Sequence, residues 1–140
     1  MEASVRGNDN ERITDILKNA KNIAVVGLSD DAMRPSYGVA AYLQSRGYRI
    51  IPVNPEVQSV LGEKAYPSLT EVPEKIDIVD IFRRSEHVPP VVEEAIQMKV
   101  PVVWMQETVI HEEAADKARE NGIFVVMNRC ILKEHRARDL

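Results

Sequence analysis

Short apolar runs alternate with amphipathic segments along most of the chain. Five runs have the length of a strand, and the first of them is continuously apolar, which is typical of a strand covered on both faces of a sheet. The sequence therefore predicts five strands, at 22–28 (NIAVVGL), 48–55 (YRIIPVNP), 76–82 (IDIVDIF), 101–105 (PVVWM) and 123–128 (IFVVMN).

Helical patterns occupy the segments before and between these runs. In the first 20 residues, Ile13, Ile16, Leu17 and Ala20 form one apolar stripe, which predicts an amphipathic N-terminal helix. Further helices are predicted at 35–47, 89–99 and 111–121, whereas the proline-rich segment 62–75 is predicted to be loop and turn.

Strands that alternate with helices indicate βαβ units with right-handed crossovers. The prediction is one α/β domain over residues 1–140, with a Rossmann-like, doubly wound and mainly parallel five-stranded sheet and helices on both faces. The segment 129–140 is predicted to be a polar, solvated tail.

Composition and charge narrow the classes of partner. The chain of 140 residues is 44% hydrophobic and 29% charged, and its net charge of −4 argues against nucleic acid as the main partner. No apolar run reaches the roughly 18 residues that a membrane span needs, and the polar N-terminus does not resemble a signal peptide. A single cysteine, Cys130, suits a reducing compartment, so a cytoplasmic protein is expected.

The fold itself selects where a ligand should bind. In doubly wound sheets, ligands lie beyond the carboxyl ends of the strands, near the point where the strand order reverses. The candidate residues at or just past the carboxyl ends of the predicted strands are Gly27, Leu28, Ser29, Asn54, Pro55, Phe82, Arg83, Gln106 and Glu107.

The first of these loops lacks the common nucleotide motifs. No Gly-Lys-Ser/Thr run occurs, Ser29 stands where a dinucleotide fingerprint has its second glycine, and Asn54 stands where NAD sites have an acid. The helix that begins near Pro35 still offers free N–H groups to an anion, with Ser36 as a hydroxyl donor and Arg34 as a cation. The alternatives are that Ser36 only caps this helix and that Arg34 is a solvated loop residue.

Other reactive side chains have ordinary structural interpretations. His87, His111 and His135 are widely spaced and are expected at the surface or as helix caps, and no metal-binding pair occurs. Asp80, in a predicted buried strand, is expected to hold a loop by a hydrogen bond. Cys130 is expected to be a half-buried core residue, although a reactive thiol remains an alternative.

Several motifs in unbroken order resemble one known family. The segments VVGLSDDAMRPSYGVAAYL, VNP followed by LG, YPSL, DIVDIFR, VVWMQE and VMNRCILKEH are similar to those of the small stand-alone CoA-binding proteins. These in turn resemble the CoA-binding domain of the succinyl-CoA synthetase α subunit, whose further domains do not fit in this chain. The resemblance covers residues from about 20 to 136.

The resemblance implies a coenzyme A site at the strand ends. It assigns the pyrophosphate to the first loop and helix, the adenosine to the turn after the second strand, and the rest of the groove to the third and fourth strand ends. The residues so implied are Gly27, Ser29, Pro35, Ser36 and Tyr37, then Asn54 and Pro55, then Phe82, Arg83, Gln106 and Glu107.

Two positions depart from the family pattern. Glu56 replaces a lysine that often follows Asn-Pro, which leaves Arg83 or Arg34 to contact the 3′-phosphate. Thr108 replaces a glycine that often follows Gln-Glu, in the loop that guides the pantetheine arm.

The function expected from these observations is binding of CoA or an acyl-CoA without an assigned reaction. Three alternatives remain open: an NAD(P) or other adenine-nucleotide binder, an acyl-CoA thioesterase or transferase acting through Ser36 or His111, and a protein whose association with a partner responds to CoA. The sequence does not identify a protein partner or an oligomeric state.

Overall fold

The protein folds into a parallel five-stranded sheet with helices on both faces, as predicted. The computed structural model describes residues 2–140, and the side chains from residue 9 onward. The helices are α1 (Glu2–Asn19), α2 (Pro35–Ser45), α3 (Val88–Gln97), α4 (Glu112–Glu120) and α5 (Ile131–Ala137). The strands are β1 (Asn22–Val26), β2 (Arg49–Val53), β3 (Ser59–Val60), β4 (Glu63–Lys64), β5 (Ile78–Ile81), β6 (Val102–Met105) and β7 (Phe124–Val126).

The strand order places a reversal point at β1. The strand order in the sheet is β2-β1-β5-β6-β7, and every neighbouring pair is parallel. The chain therefore adds β2 on one side of β1 and then crosses back to add β5, β6 and β7 on the other side. All five carboxyl ends therefore lie along one edge of the sheet, with those of β1 and β5 adjacent.

Two apolar layers cover the sheet. On one face the core contains side chains from α3 and α4, and on the other it contains side chains from α1, α2 and α5. The predicted stripe on α1 is confirmed: Ile13 and Leu17 are buried, and Ile16 and Ala20 pack against the same core. The part of the predicted N-terminal helix before residue 9 lies outside the described side chains.

Two segments differ from the prediction. Within 62–75, β4 pairs antiparallel with β3, and a 3₁₀ turn follows at Leu69–Glu71. The predicted polar tail is wrong, because α5 forms there and buries Ile131 and His135 against the α2 side of the sheet. The expectation that all three histidines are exposed or capping is likewise wrong for His135.

No helix in the described part of the chain is long and apolar enough to cross a membrane.

Candidate functional site

The predicted site segments lie side by side at the carboxyl edge of the sheet. The register pairs Val26 with Val53 and with Ile81, and Ile81 with Met105. The segments that follow these residues, 54–55, 27–29, 82–83 and 106–107, are therefore neighbours in that spatial order.

Gly27 is the point of closest approach between two of these segments. Its φ of +87° is in the left-handed region, and a Cβ built on it would lie 2.2 Å from the carbonyl oxygen of Phe82 and 3.0 Å from Cδ of Arg83. Its N–H donates to the carbonyl of Val53 at 2.8 Å. Only glycine fits this position without moving the backbone of β1 or β5.

The loop between β1 and α2 is organised by serine hydroxyls. The N–H of Ser29 donates to Oγ of Ser36 at 3.1 Å, and the N–H of Asp31 donates to Oγ of Ser29 at 3.0 Å. Ser36 is only 5% exposed, and the N-cap position, Arg34, makes no side-chain hydrogen bond to the helix. Ser36 therefore does not cap α2; it anchors the loop to the first turn of the helix.

The start of α2 is open to solvent. Arg34 and Pro35 are exposed and Tyr37 is half-buried. Pro35 occupies the first helical position, where its missing N–H removes no hydrogen bond. Nearby in the same loop, Met33 is 89% exposed, which is unusual for a large apolar side chain.

Asn54 joins the turn after β2 to the loop after β1. Its Nδ2 donates to the carbonyl of Leu28 at 3.0 Å, and its Oδ1 accepts from the N–H of Glu56 at 2.9 Å. Both ends of the side chain are thus used within the protein. Asn54 fixes the relative position of two candidate loops, which is a role that the sequence did not reveal.

A small cleft lies beside these loops on the α3 face of the sheet. Its volume is about 190 Å3, and its lining includes Val26, Val53, Pro55, Pro67, Arg83 and Pro90. Pro55 and Arg83 are predicted site residues. Pro67 was missed, although the motif YPSL that contains it is part of the family resemblance; no periodicity points to a ligand there. The cleft combines apolar walls with the guanidinium of Arg83 and the carboxylate of Glu94, whose Oε1 accepts from the N–H of Leu69 at 2.9 Å.

The β6 end is turned away from this cleft. Gln106 is 4% exposed, and its Oε1 accepts from the N–H of Ile131, the first residue of α5, at 3.0 Å. Glu107 is exposed and pairs with Lys133 at 3.0 Å, and this hydrogen bond raises the pKa of Lys133. Although segment 106–107 adjoins segment 82–83, the side chains of Gln106 and Glu107 contact α5, and neither lines the cleft with Pro55 and Arg83.

Thr108 adopts a backbone conformation that favours glycine. Its φ is +73°, and its N–H donates at 2.8 Å to Oδ1 of Asn128, which also has a positive φ, of +62°. A β-branched residue is strained in this region. A glycine at this position would adopt the same loop without strain.

Asp80 is buried in β5, one layer beneath this edge. The register places it between Val25 and Trp104, and it is fully buried. Neither carboxyl oxygen has a hydrogen-bond partner among the described residues, so the predicted loop-holding bond is absent. Burial raises the pKa of Asp80 well above its ordinary value, which favours the neutral acid.

The residues named for an acyl-transfer alternative are not assembled. Ser36 is on α2, whereas His111 precedes α4 on the opposite face, and Nδ1 of His111 accepts from the N–H of Ala114 at 3.1 Å. The expected capping role of His111 is confirmed. Among the residues that the structure describes, no three metal-ligating side chains form a group.

Comparison with known proteins identifies the family. The sequence matches the CoA-binding domain family over residues 21–136, which covers all four candidate segments. The chain belongs to this family.

Its relatives include stand-alone and multidomain proteins. It is 47% identical over 123 residues to YneT, an uncharacterized protein of Bacillus subtilis (strain 168), covering 88% of this chain and 91% of that one. A hypothetical protein from Pyrococcus horikoshii OT3 superposes with a TM-score of 0.89 and 41% identity, covering 91% and 90% of the two chains. An acetate–CoA ligase (ADP-forming) of Archaeoglobus fulgidus is 33% identical over 79 residues, which span 55% of this chain and 12% of the ligase.

Proposed function

We propose that the protein binds coenzyme A or an acyl-CoA at the carboxyl edge of the sheet, as a binding module without a reaction of its own. The observation that carries the proposal is the family match over residues 21–136, which includes every segment at this edge of the sheet. The acetate–CoA ligase relative, whose name includes CoA, supports the same ligand class.

The cleft suits the nucleotide end of this ligand. Its volume of about 190 Å3 is small, and the prolines and valines that line it offer flat apolar contacts to an adenine ring. Arg83 extends from β5 into the same cleft and provides a bidentate donor for a phosphate group. In this proposal Pro55 contacts the adenosine and Arg83 contacts a phosphate.

The start of α2 suits the pyrophosphate. The free N–H groups of a first helical turn and the helix dipole attract anions, and Arg34 is exposed beside them. The loop that approaches this turn is held by the hydrogen bond from Ser29 to Ser36. In the proposal, Ser36 acts by shaping the loop, and Arg34, Pro35 and Tyr37 border the phosphates.

Titration calorimetry with CoA, dephospho-CoA, NAD and NADPH tests the ligand class. Saturable binding of CoA that exceeds the binding of NAD and NADPH supports the proposal. Absence of a CoA signal at millimolar concentration contradicts it, and saturation by NAD or NADPH alone indicates a dinucleotide site. Weaker binding of dephospho-CoA than of CoA would indicate that a cation reads the 3′-phosphate despite Glu56.

Two neighbouring arginines provide a matched test of the site. Arg83→Gln removes the guanidinium from the cleft, whereas Arg84→Gln removes the same charge from an exposed residue that does not line it. We expect Arg83→Gln to weaken CoA binding by about 10-fold or more, because a charged hydrogen bond contributes about 1.5–3 kcal/mol. Equal effects of the two variants would mean that only the net charge matters.

Two serines of α2 provide the second test. Ser36→Ala removes the acceptor of the Ser29 N–H, whereas Ser45→Ala removes an exposed hydroxyl at the other end of the helix that bonds to the carbonyl of Tyr42. We expect weaker CoA binding for Ser36→Ala only. Acetyl-CoA turnover that is lost in Ser36→Ala would instead favour the enzymatic alternative.

A further inference from the structure

A buried cluster of three rings lies on the far side of α2 from the cleft. His135 of α5 is 3% exposed, and its Nδ1 forms a hydrogen bond with the hydroxyl of Tyr42 on α2 at 2.8 Å. The rings of Tyr42 and Tyr48 contact the imidazole edge-to-face, with centroid distances of 5.4 and 5.6 Å. We name these three residues the His135 clasp.

The clasp is one of several attachments that join α5 to elements of the candidate site, and the ion pair of Lys133 with Glu107 is another. At its start, α5 is held by the hydrogen bond from Ile131 N–H to Gln106. Near its end, α5 is held to α2 by the hydrogen bond between His135 and Tyr42. The first turn of α2 borders the loop that follows β1. Movement of α5 would therefore release Gln106 and remove a support of α2.

The surroundings of His135 disfavour a positive charge. Arg46, just after α2, and Lys18 from α1 line the cavity beside it, with Tyr48, just before β2, and Asp139. Leu140 lines the same cavity, and its carbonyl oxygen accepts from Arg46 at 3.1 Å. Burial, and then Arg46, lower the pKa of His135, and burial raises the pKa of Tyr48, which keeps that hydroxyl neutral.

The charges on α5 itself do not offset this environment. Glu134, the acid next to His135 in sequence, is engaged at 2.8 Å by Arg138 and lies 3.8 Å from Arg129. Lys133 pairs with Glu107 at the other end of the helix, and Arg136 is a further cation. A charged imidazolium would thus be repelled by Arg46, while Glu134 is already paired with Arg138.

We infer that the His135 clasp is a pH-sensitive latch: neutral His135 holds α5 against α2, and protonation of His135 releases α5 together with Gln106. The latch operates on the ligand-free chain, so it does not depend on the identity of the ligand. It gives the protein a way to loosen one border of its candidate site in response to acidity.

Hydrogen exchange of the α5 amides in the ligand-free protein tests this inference. The native state binds fewer protons at His135 than the opened state does, so opening becomes more favourable as the pH falls below about 6.5. After correction for intrinsic exchange rates, α5 opening should increase by more than about threefold between pH 8 and pH 5. If His135 binds no proton in the native state at pH 5, α5 opening should increase about 30-fold over this range. A smaller increase than threefold overturns the inference.

Three variants assign the effect to the clasp. His135→Gln retains a polar side chain but does not titrate, so α5 opening should lose its pH dependence. Tyr42→Phe should raise opening about fivefold at pH 8, the effect of one net hydrogen bond, and keep the pH dependence. His87→Gln, at an exposed histidine, should behave as the wild type. Retained pH dependence in His135→Gln overturns the inference.

An NMR titration of the unmodified protein gives an independent measurement if His135→Gln does not fold. A titration midpoint for the His135 ring below the ordinary value of about 6.5 supports the latch. A midpoint at or above that value overturns it.

Discussion

Replacement of Asp80 by asparagine should stabilise the protein at neutral pH. Asp80 is fully buried in β5, its two carboxyl oxygens have no hydrogen-bond partner among the described residues, and burial raises its pKa well above the ordinary value. The native protein therefore retains a proton on Asp80 at pH values where the unfolded chain has released it.

The sign and size of the effect follow from proton linkage. Above the unfolded pKa of about 3.9, the native state binds one proton more than the unfolded state, so the free energy of unfolding falls as the pH rises. The loss is about 1.4 kcal/mol for each pH unit, until the native pKa is reached. Asp80→Asn has nearly the same shape and also leaves a buried polar group, so it removes mainly this pH-dependent loss.

Urea unfolding followed by the fluorescence of the single tryptophan, Trp104, measures the effect at pH 4, 5, 6 and 7. Asp80→Asn should match the wild type closely at pH 4 and then exceed it by a margin that grows with pH, by up to about 1.4 kcal/mol for each unit below the native pKa of Asp80. Asp116→Asn, on the exposed side of α4, should follow the wild type. Equal pH slopes for Asp80→Asn and the wild type would refute the assignment of a neutral buried acid.

Glycine and threonine positions give further predictions, each checked by thermal unfolding. Gly27→Ala should destabilise by well over 1 kcal/mol, because its φ is +87° and its Cβ would lie 2.2 Å from the carbonyl oxygen of Phe82. Gly38→Ala, in α2 with no atom within 4 Å of the added Cβ, should instead stabilise by about 0.5–1 kcal/mol, and a loss would contradict the open space there. Thr108→Gly should stabilise by about 1 kcal/mol through relief of strain at φ +73°, whereas Thr70→Gly, in a 3₁₀ turn, should not.

The sheet could be predicted from sequence because each central strand is a nearly continuous apolar run between turn residues. The stripe of Ile13, Ile16, Leu17 and Ala20 predicted α1 in the same way. The physical signal in both cases is burial, which composition and periodicity report directly.

Helix α5 could not be predicted by the same means. Its sequence, ILKEHRA, is mostly polar, and His135 is buried because Tyr42 and Tyr48 surround it. Tyr42 lies 93 positions earlier in the chain than His135, and Tyr48 is similarly distant, so no local pattern reports this environment. The hairpin of β3 and β4 was missed for a related reason, since two-residue strands carry no periodicity.

The position of the candidate site was predictable, but the direction of its side chains was not. The rule for doubly wound sheets gave the four strand ends without any knowledge of packing. The rule did not tell which side chains face the cleft. Arg83 lines it, whereas the amide of Gln106 bonds to α5 and the amide of Asn54 joins two loops. Those differences arise from contacts between segments that are distant in sequence.

Gly27 lies at the edge of the sheet between the two halves of the candidate site. The cleft with Arg83 lies on the α3 face of the sheet, whereas Ser36 and the start of α2 lie on the opposite face. A ligand that uses both must cross the edge of the sheet between them, where Gly27 approaches the backbone of Phe82. A long, bent molecule with a pyrophosphate between its two ends meets this requirement, as coenzyme A and NAD both do, whereas a compact ligand would occupy only one face. The geometry of the edge therefore favours an extended ligand with a pyrophosphate over a smaller nucleotide.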